Sequence, residues 1–429
     1  MFEQFYRRLA VCLSLLLFSG GLVSAYDYPF SDPYVATIVS TPTEYAAQLP
    51  ADIPVKIDTI RMFPDRNVPR ILWNLDKLHY STISQKGPAP LIFLVAGTGA
   101  SFNSSKMQVM QKAFYQAGYH VISLSSPTHP NFIVAASTSG VPGHLEADSA
   151  DLYRVMQALW QKHGQQMDVT EFYLTGYSLG AAQSAFIARL DEQERAFNFS
   201  KVLLINPPVN LYNSVEILDG MTSNIPGGVD KFNEFYVQMV KAFAAVYANG
   251  DAVELNENFL YQAYNHRKPQ IKDERLAALI GVSFRLSSMN MAFASDVLTK
   301  ANYVVPKNLS LRRHDNVRNY TKVLSHLTFL DYFEGILLPY FQSQDPTLTG
   351  PMLIEQLSLR PLGNYLRNSP KFGLIGNEDD LILQPGEIDY LRDLFGSRAT
   401  IYPHGGHCGN MGYPDNVAAM VGFFQAVNN

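Results

Sequence analysis

The chain has 429 residues, 47% of them apolar and 17% charged, and a formal net charge of −5. Such a composition supports a large buried core and excludes an intrinsically disordered chain. There is no extended Lys/Arg block, so nucleic acid is not an expected partner.

Residues 1–25 read as a secretory leader. Arg7 and Arg8 form a basic start, Leu9–Val23 is apolar, and Val23-Ser24-Ala25 ends in small residues, which predicts cleavage after Ala25. The apolar run is short of the roughly 20 residues that a membrane helix needs. Further along, the nearest candidate span, Leu327–Tyr340, is broken by Asp331, Glu334 and Pro339, so no stable membrane span is expected after leader removal. The expected location is exported, periplasmic or secreted. Loss of Cys12 with the leader leaves Cys408 alone and no intrachain disulfide. With no CxxC, no HExxH and no paired His/Cys cluster, neither a metal nor another cofactor is expected.

Strands are predicted over Val55–Met62, Arg70–Ile83 and Leu91–Val95, the last an apolar run ending in Gly97-Thr98-Gly99. Met107, Met110, Phe114 and Ala117 fall at helical spacing, with Gly118 closing the helix. A strand at His120–Leu124 follows. Next comes a helix with Leu152, Val155, Met156, Leu159 and Trp160 on one face, then strands at Glu171–Leu174 and Lys201–Ile205. Alternation of this kind predicts an α/β fold with a mostly parallel sheet between helices.

From 209 to 368 the pattern is helical, with segments Lys231–Ala248, Glu274–Lys300 and Val317–Phe341 rich in Phe, Tyr and Met. Strands resume at Phe372–Ile375 and Thr400–Tyr402, with helices marked by Ile388, Leu391 and Phe395, and by Val417, Met420, Val421 and Phe424. The expected organisation is a leader (1–25), a first core segment (26–208), a helical cap insertion (209–368) and a last core segment (369–429).

Gly176-Tyr177-Ser178-Leu179-Gly180 sits between a strand and a small-residue helix start, where a nucleophile elbow belongs. Glycines at both flanks permit the strained turn that lifts a serine hydroxyl above the sheet. Serine needs a base. Pro403-His404-Gly405-Gly406-His407-Cys408-Gly409 follows the last strand and favours His407, with His404 as the rival. Cys408 reads as a buried free thiol. An acid must orient the imidazole, and Glu378-Asp379-Asp380 follows the penultimate strand; Asp379 or Asp380 is the candidate.

With these three motifs each after its own strand, and in the chain order Ser, Asp, His, the sequence resembles the α/β-hydrolase superfamily over most of the chain outside the insertion. The resemblance implies an acid three residues after a strand-ending glycine, which from Gly376 is Asp379. It implies oxyanion amides from Leu179 and from the loop Ala96-Gly97-Thr98-Gly99, where Thr98 is preferred and Gly99 is the alternative. It also implies a cap between the sixth and seventh strands. The function so implied is that of a serine hydrolase with a Ser178–His407–Asp379 triad acting on a small-molecule acyl ester. The alternatives are an acyltransferase or peptidase on the same triad, or a non-catalytic binding protein on this fold. The cap and the loop Ser126–Phe132 are expected to shape the substrate site, with an apolar acyl or alcohol group against the cap.

Overall fold

A computed structural model describes residues 26–244 and 273–426. The expected leader and the end of the Lys231–Ala248 helix lie outside the described residues.

The N-terminal segment enters through a short helix, α1 (Pro33–Val39), that the sequence reading missed. Asp32 caps it, accepting the Tyr34 and Val35 amides at 2.8 and 3.0 Å, and Pro33 opens its first turn. The sheet has eight strands: β1 (Lys56–Ile60), β2 (Leu78–Ile83), β3 (Ala89–Val95), β4 (His120–Leu124), β5 (Val169–Tyr177), β6 (Lys201–Ile205), β7 (Phe372–Asn377) and β8 (Ala399–Tyr402). Their order is β1-β2-β4-β3-β5-β6-β7-β8. β2 pairs antiparallel with both β1 and β4, and the remaining neighbours are parallel. This is the α/β-hydrolase arrangement that the sequence implied.

The expected strand over Arg70–Ile83 is half correct. Arg70–Leu75 forms 3₁₀ turns, and the strand starts only at Leu78. The alternation of Ile71, Trp73 and Leu75 does not mark a buried face. Leu72 is the buried residue, packed in a small cluster with Val134, Val297, Val305 and Leu311, while Trp73 is exposed under the Arg313 guanidinium, 3.6 Å from its ring centre.

Period-two alternation in β3 divides the core. Leu91, Phe93 and Val95 face α4 (Leu145–His163) and α5 (Leu179–Glu194), whereas Ile92 and Leu94 face the opposite layer. That opposite layer holds α2 (Ser105–Gln116) and the C-terminal helix (Pro414–Gln425), through Met107, Met110, Phe114, Met420 and Phe424. A short α3 (Pro130–Ala135) precedes α4. Covering both faces with helices lets every parallel strand bury its apolar side chains twice over.

Between β6 and β7 lie α6 (Leu211–Gly220), α7 (Phe232–Ala244), α8 (Asp273–Thr299), α9 (Arg318–Leu324), α10 (Phe329–Tyr332), a π-turn at Phe333–Leu337, α11 (Leu338–Gln344), α12 (Gly350–Gln356) and α13 (Gly363–Asn368). α8 is the spine of this insertion. Its Arg275–Thr299 stretch reaches a mean hydropathy of 1.3 and is long and apolar enough to cross a membrane, contrary to the sequence expectation. In the fold, 83% of that window is buried against the rest of the protein. Buried polar bonds tie the insertion to itself and to the core. Asp219 on α6 accepts the Phe329 amide at 2.8 Å and faces Arg285 of α8 at 3.5 Å, and Ser295 of α8 donates to the Gly140 carbonyl at 2.5 Å. The last core segment adds α14 (Glu387–Phe395) and α15 (Pro414–Gln425).

Candidate active site

Open α/β sheets present their reactive groups at the carboxyl ends of the strands. β5 runs three residues beyond its predicted end, to Tyr177, and delivers Ser178 at φ 54°, ψ −128° as the N-cap of α5. A side chain rarely tolerates this conformation, and the surroundings enforce it. A Cβ on Gly176 would lie 2.4 Å from the Gly180 carbonyl, and one on Gly180 would lie 2.3 Å from the Val95 oxygen. The elbow therefore exists only because both flanking residues lack a side chain.

His407 Nε2 lies 2.9 Å from Ser178 Oγ. His407 reaches this place through a loop that α1 holds from outside. Gly406 has φ 56°, and a Cβ there would meet the Pro33 carbonyl at 2.3 Å. The His407 amide donates to Thr37 Oγ1 at 2.8 Å, and Asn377 Nδ2 donates to the Gly406 carbonyl at 2.7 Å. Asn410 pairs with Asn377 and donates to the Tyr26 hydroxyl at 2.8 Å. His404, the rival, is turned away; its ring packs on Tyr26 with Nε2 3.3 Å from the Tyr28 carbonyl.

The carboxylate that faces His407 is Asp380, which corrects the choice of Asp379. Asp380 Oδ1 and Oδ2 lie 2.9 and 3.1 Å from His407 Nδ1. Asn206 donates to Asp380 Oδ2 at 2.8 Å and the Ile382 amide to Oδ1 at 3.2 Å. Asp379 instead accepts the Gly406 and Gly405 amides at 2.9 and 3.2 Å, so it braces the histidine loop. Burial pushes the Asp379 carboxyl up, against those two amides. The reason for the shift by one residue is the strand end. β7 stays paired through Asn377 opposite Tyr402, so the count runs from Asn377 and not from Gly376.

The Asp380 side chain is 1% exposed and that of His407 18%, so the two interact in a medium that screens weakly. Burial alone would lower the His407 pKa. The Asp380 carboxylate overrides it, with Cys408 acting in the same direction, and holds the imidazole well above its ordinary 6.5. The carboxylate also fixes the proton of neutral His407 on Nδ1, leaving the Nε2 lone pair for the Ser178 hydroxyl. Cys408 is buried and free, with Sγ 3.9 Å from His407 Nε2.

Leu179 opens α5, where first-turn amides have no helical partner. In the loop after β3, the Gly99 amide is bound to Thr128 Oγ1 at 2.7 Å. That commitment favours Thr98 over Gly99 as the second oxyanion donor, and Thr98 and Leu179 both line the pocket around Ser178. The loop Ser126–Phe132 does not line it, contrary to expectation. Through Thr128, hydrogen-bonded to Ser126 at 2.9 Å, it supports the Gly97–Gly99 turn from behind.

The pocket spans about 780 Å³ of space between atoms, including the solvent at its opening, and about 80 Å³ of it has room for the centre of a water-sized molecule. Leu211, Val215 and Leu218 of α6, and Ile280 and Phe284 of α8, form an apolar wall, and Leu381 and Ile382 extend it from the β7 loop. Met221 and Met291 of the insertion are buried in packing, and Phe284 is an aromatic side chain of the insertion that lines the pocket. Among the described residues, no group of three His, Cys, Asp or Glu side chains is arranged to hold a metal ion. Thr37, Asn206, Asn377 and Asn410 were not singled out from the sequence. Asn206 and Asn377 had a usable signal, since both stand at the carboxyl ends of predicted strands; Thr37 and Asn410 had none.

No protein-family model matches the sequence, and no curated protein matches it. Among solved structures the chain is similar to a putative hydrolase of Legionella pneumophila, at 13% identity and TM-score 0.44, over 92% of this chain and 96% of that one. It is similar to a proline iminopeptidase of Mycobacterium smegmatis at 13% identity and TM-score 0.40, over 86% and 98% of the two chains. A thioesterase domain from the curacin biosynthetic pathway shares 11% identity at TM-score 0.38, over 87% and 100%. Likeness this distant carries no information about substrate.

Proposed function

We propose that this chain is an exported serine hydrolase that cleaves carboxylic esters through an acyl-enzyme. The observation that carries the reading is the unbroken line of contacts Ser178 Oγ–His407 Nε2 and His407 Nδ1–Asp380, with Ser178 and His407 lining a largely apolar pocket. In the proposed cycle, His407 takes the Ser178 proton as Oγ attacks the acyl carbonyl. The Leu179 and Thr98 amides receive the oxyanion. Collapse breaks the ester C–O bond, and His407 returns its proton to the departing alcohol. Water then enters and attacks the acyl carbon as His407 takes its proton; the bond to Oγ breaks, His407 returns the proton to Ser178 Oγ, and the acid leaves. The wall from α6 and α8 supports an apolar acyl group.

The direct test is labelling with a fluorophosphonate probe. The proposal requires labelling of the native chain and none of Ser178→Ala; equal labelling of both rejects it. Release of free acid in the presence of an added alcohol, with no transfer product, separates hydrolysis from acyl transfer. Sequencing of the secreted protein tests export, with Tyr26 expected as the first residue.

A further inference from the structure

The pocket is not uniformly apolar. Lys106, in the first turn of α2, is among its lining residues together with Thr98 and Tyr177. Among the described residues that line the pocket, Lys106 is the only Lys or Arg, and none is Asp or Glu. The first-turn position adds potential of the same sign, because the amide end of a helix is electropositive. Ser178 lines the same pocket as Lys106 and the apolar residues of α6 and α8.

An ammonium facing such a cavity sorts ligands by charge. A neutral oxygen gains one ordinary hydrogen bond there, an anionic oxygen gains a charge-assisted one, and a cation is repelled. We infer that the substrate is an amphiphilic ester, with an apolar arm against Phe284 and Ile280 and a carboxylate or other singly charged oxyanion held by Lys106. This inference rests on the hydrolase reading for the position of the scissile bond. The charge preference itself is a binding property and stands apart from the chemistry.

The test therefore has two arms. In the first, Ser178→Ala is titrated calorimetrically with three esters: anionic 4-hexanoyloxybenzoate, anionic mono-4-nitrophenyl adipate and neutral 4-acetylphenyl hexanoate. At least one anionic ester is expected to bind roughly 10- to 100-fold more tightly than the neutral one. Adding Lys106→Met should erase that preference, and Lys106→Arg should retain it. In the second arm, with Ser178 present, Lys106→Met should lower kcat/KM for the same anionic ester by a similar factor and leave the neutral ester near the native rate. The probe that responds tells whether the charge belongs on the alcohol or the acyl side. The inference is overturned if neither anionic ester is preferred, or if the preference survives in Lys106→Met. Absence of both fluorophosphonate labelling and hexanoate release from the neutral ester would overturn the hydrolase reading instead, and the titration would still decide the charge preference.

Discussion

At the sheet edge, each proposed triad side chain lies within five residues after the end of a strand. Ser178 follows β5, His407 lies in the loop after β8, and Asp380 stands three residues past the end of β7. In the insertion the corresponding polar groups come from distant helices. Asp219 of α6 meets Arg285 of α8, and both are served by the segment that leads into α10. The edge derives its precision from local backbone constraints, above all the two glycines that the elbow demands. The insertion derives its shape from side-chain packing and a few buried polar ties, a looser specification that many helical sequences satisfy. This contrast predicts that substitutions of Ser178, His407 or Asp380 abolish chemistry while leaving the fold, and that cap substitutions change stability or substrate choice while leaving the chemistry.

The largest effect is expected from Ser178→Ala, which should reduce turnover by on the order of 10⁴ or more with an unchanged melting temperature. A comparable drop in melting temperature would break the contrast. Next, Asp380→Asn should lower kcat by about 10³- to 10⁴-fold, because the amide no longer fixes the Nδ1 proton. Its Asp379→Asn counterpart should retain most activity and lose stability through the freed Gly405 and Gly406 amides. Equal kinetics for the two would undo the assignment of the acid.

The buried pair in the cap comes third. Asp219→Ala leaves Arg285, whose side chain is 1% exposed, without its partner, and should cost about 3–5 kcal/mol of stability by denaturant titration. Burial pushes the Asp219 carboxyl up to about 6, against the pull of Arg285. A carboxyl raised above its ordinary 3.8 binds its proton more tightly in the folded state, so its contribution to stability is full at low pH and is lost as pH rises towards about 6. Asp219→Asn should flatten that slope.

The pH–rate profile offers a finer test. Catalysis needs neutral His407, and Asp380 holds that imidazole above 6.5, so kcat/KM should climb through a midpoint above 6.5. In the residual activity of Asp380→Asn the midpoint should fall by about one pH unit or more. A midpoint that stays put would mean another group sets it. The smallest effect is expected for Phe284→Ala, which should raise KM for hexanoyl esters about tenfold while acetyl esters stay near the native value.

The parallel strands were readable because each is a short apolar run closed by glycine, proline or asparagine, and the sheet buries both faces of such runs. Failures occurred where tertiary packing outweighs pattern. Around Leu72 the alternation pointed to a strand, but the neighbouring loop and α8 bury a different residue. α8 carries enough apolar residues for a membrane helix because it is enclosed on most sides within the protein. α1 is only seven residues long, too short for a helical period to stand out, and its part in the site, the bond from the His407 amide to Thr37, joins residues far apart in sequence.

Local sequence encodes the chemistry on offer: the order of the strands along the chain, a serine that glycines force into an elbow, and a glycine-flanked histidine after the last strand. These are local properties, written in steric permission and periodicity. Which of two adjacent aspartates meets that histidine is set by the fold, since it depends on how far β7 stays paired with β8. The fold also brings Lys106 and the apolar residues of α6 and α8 around one pocket with Ser178, because they come from segments far apart in the chain.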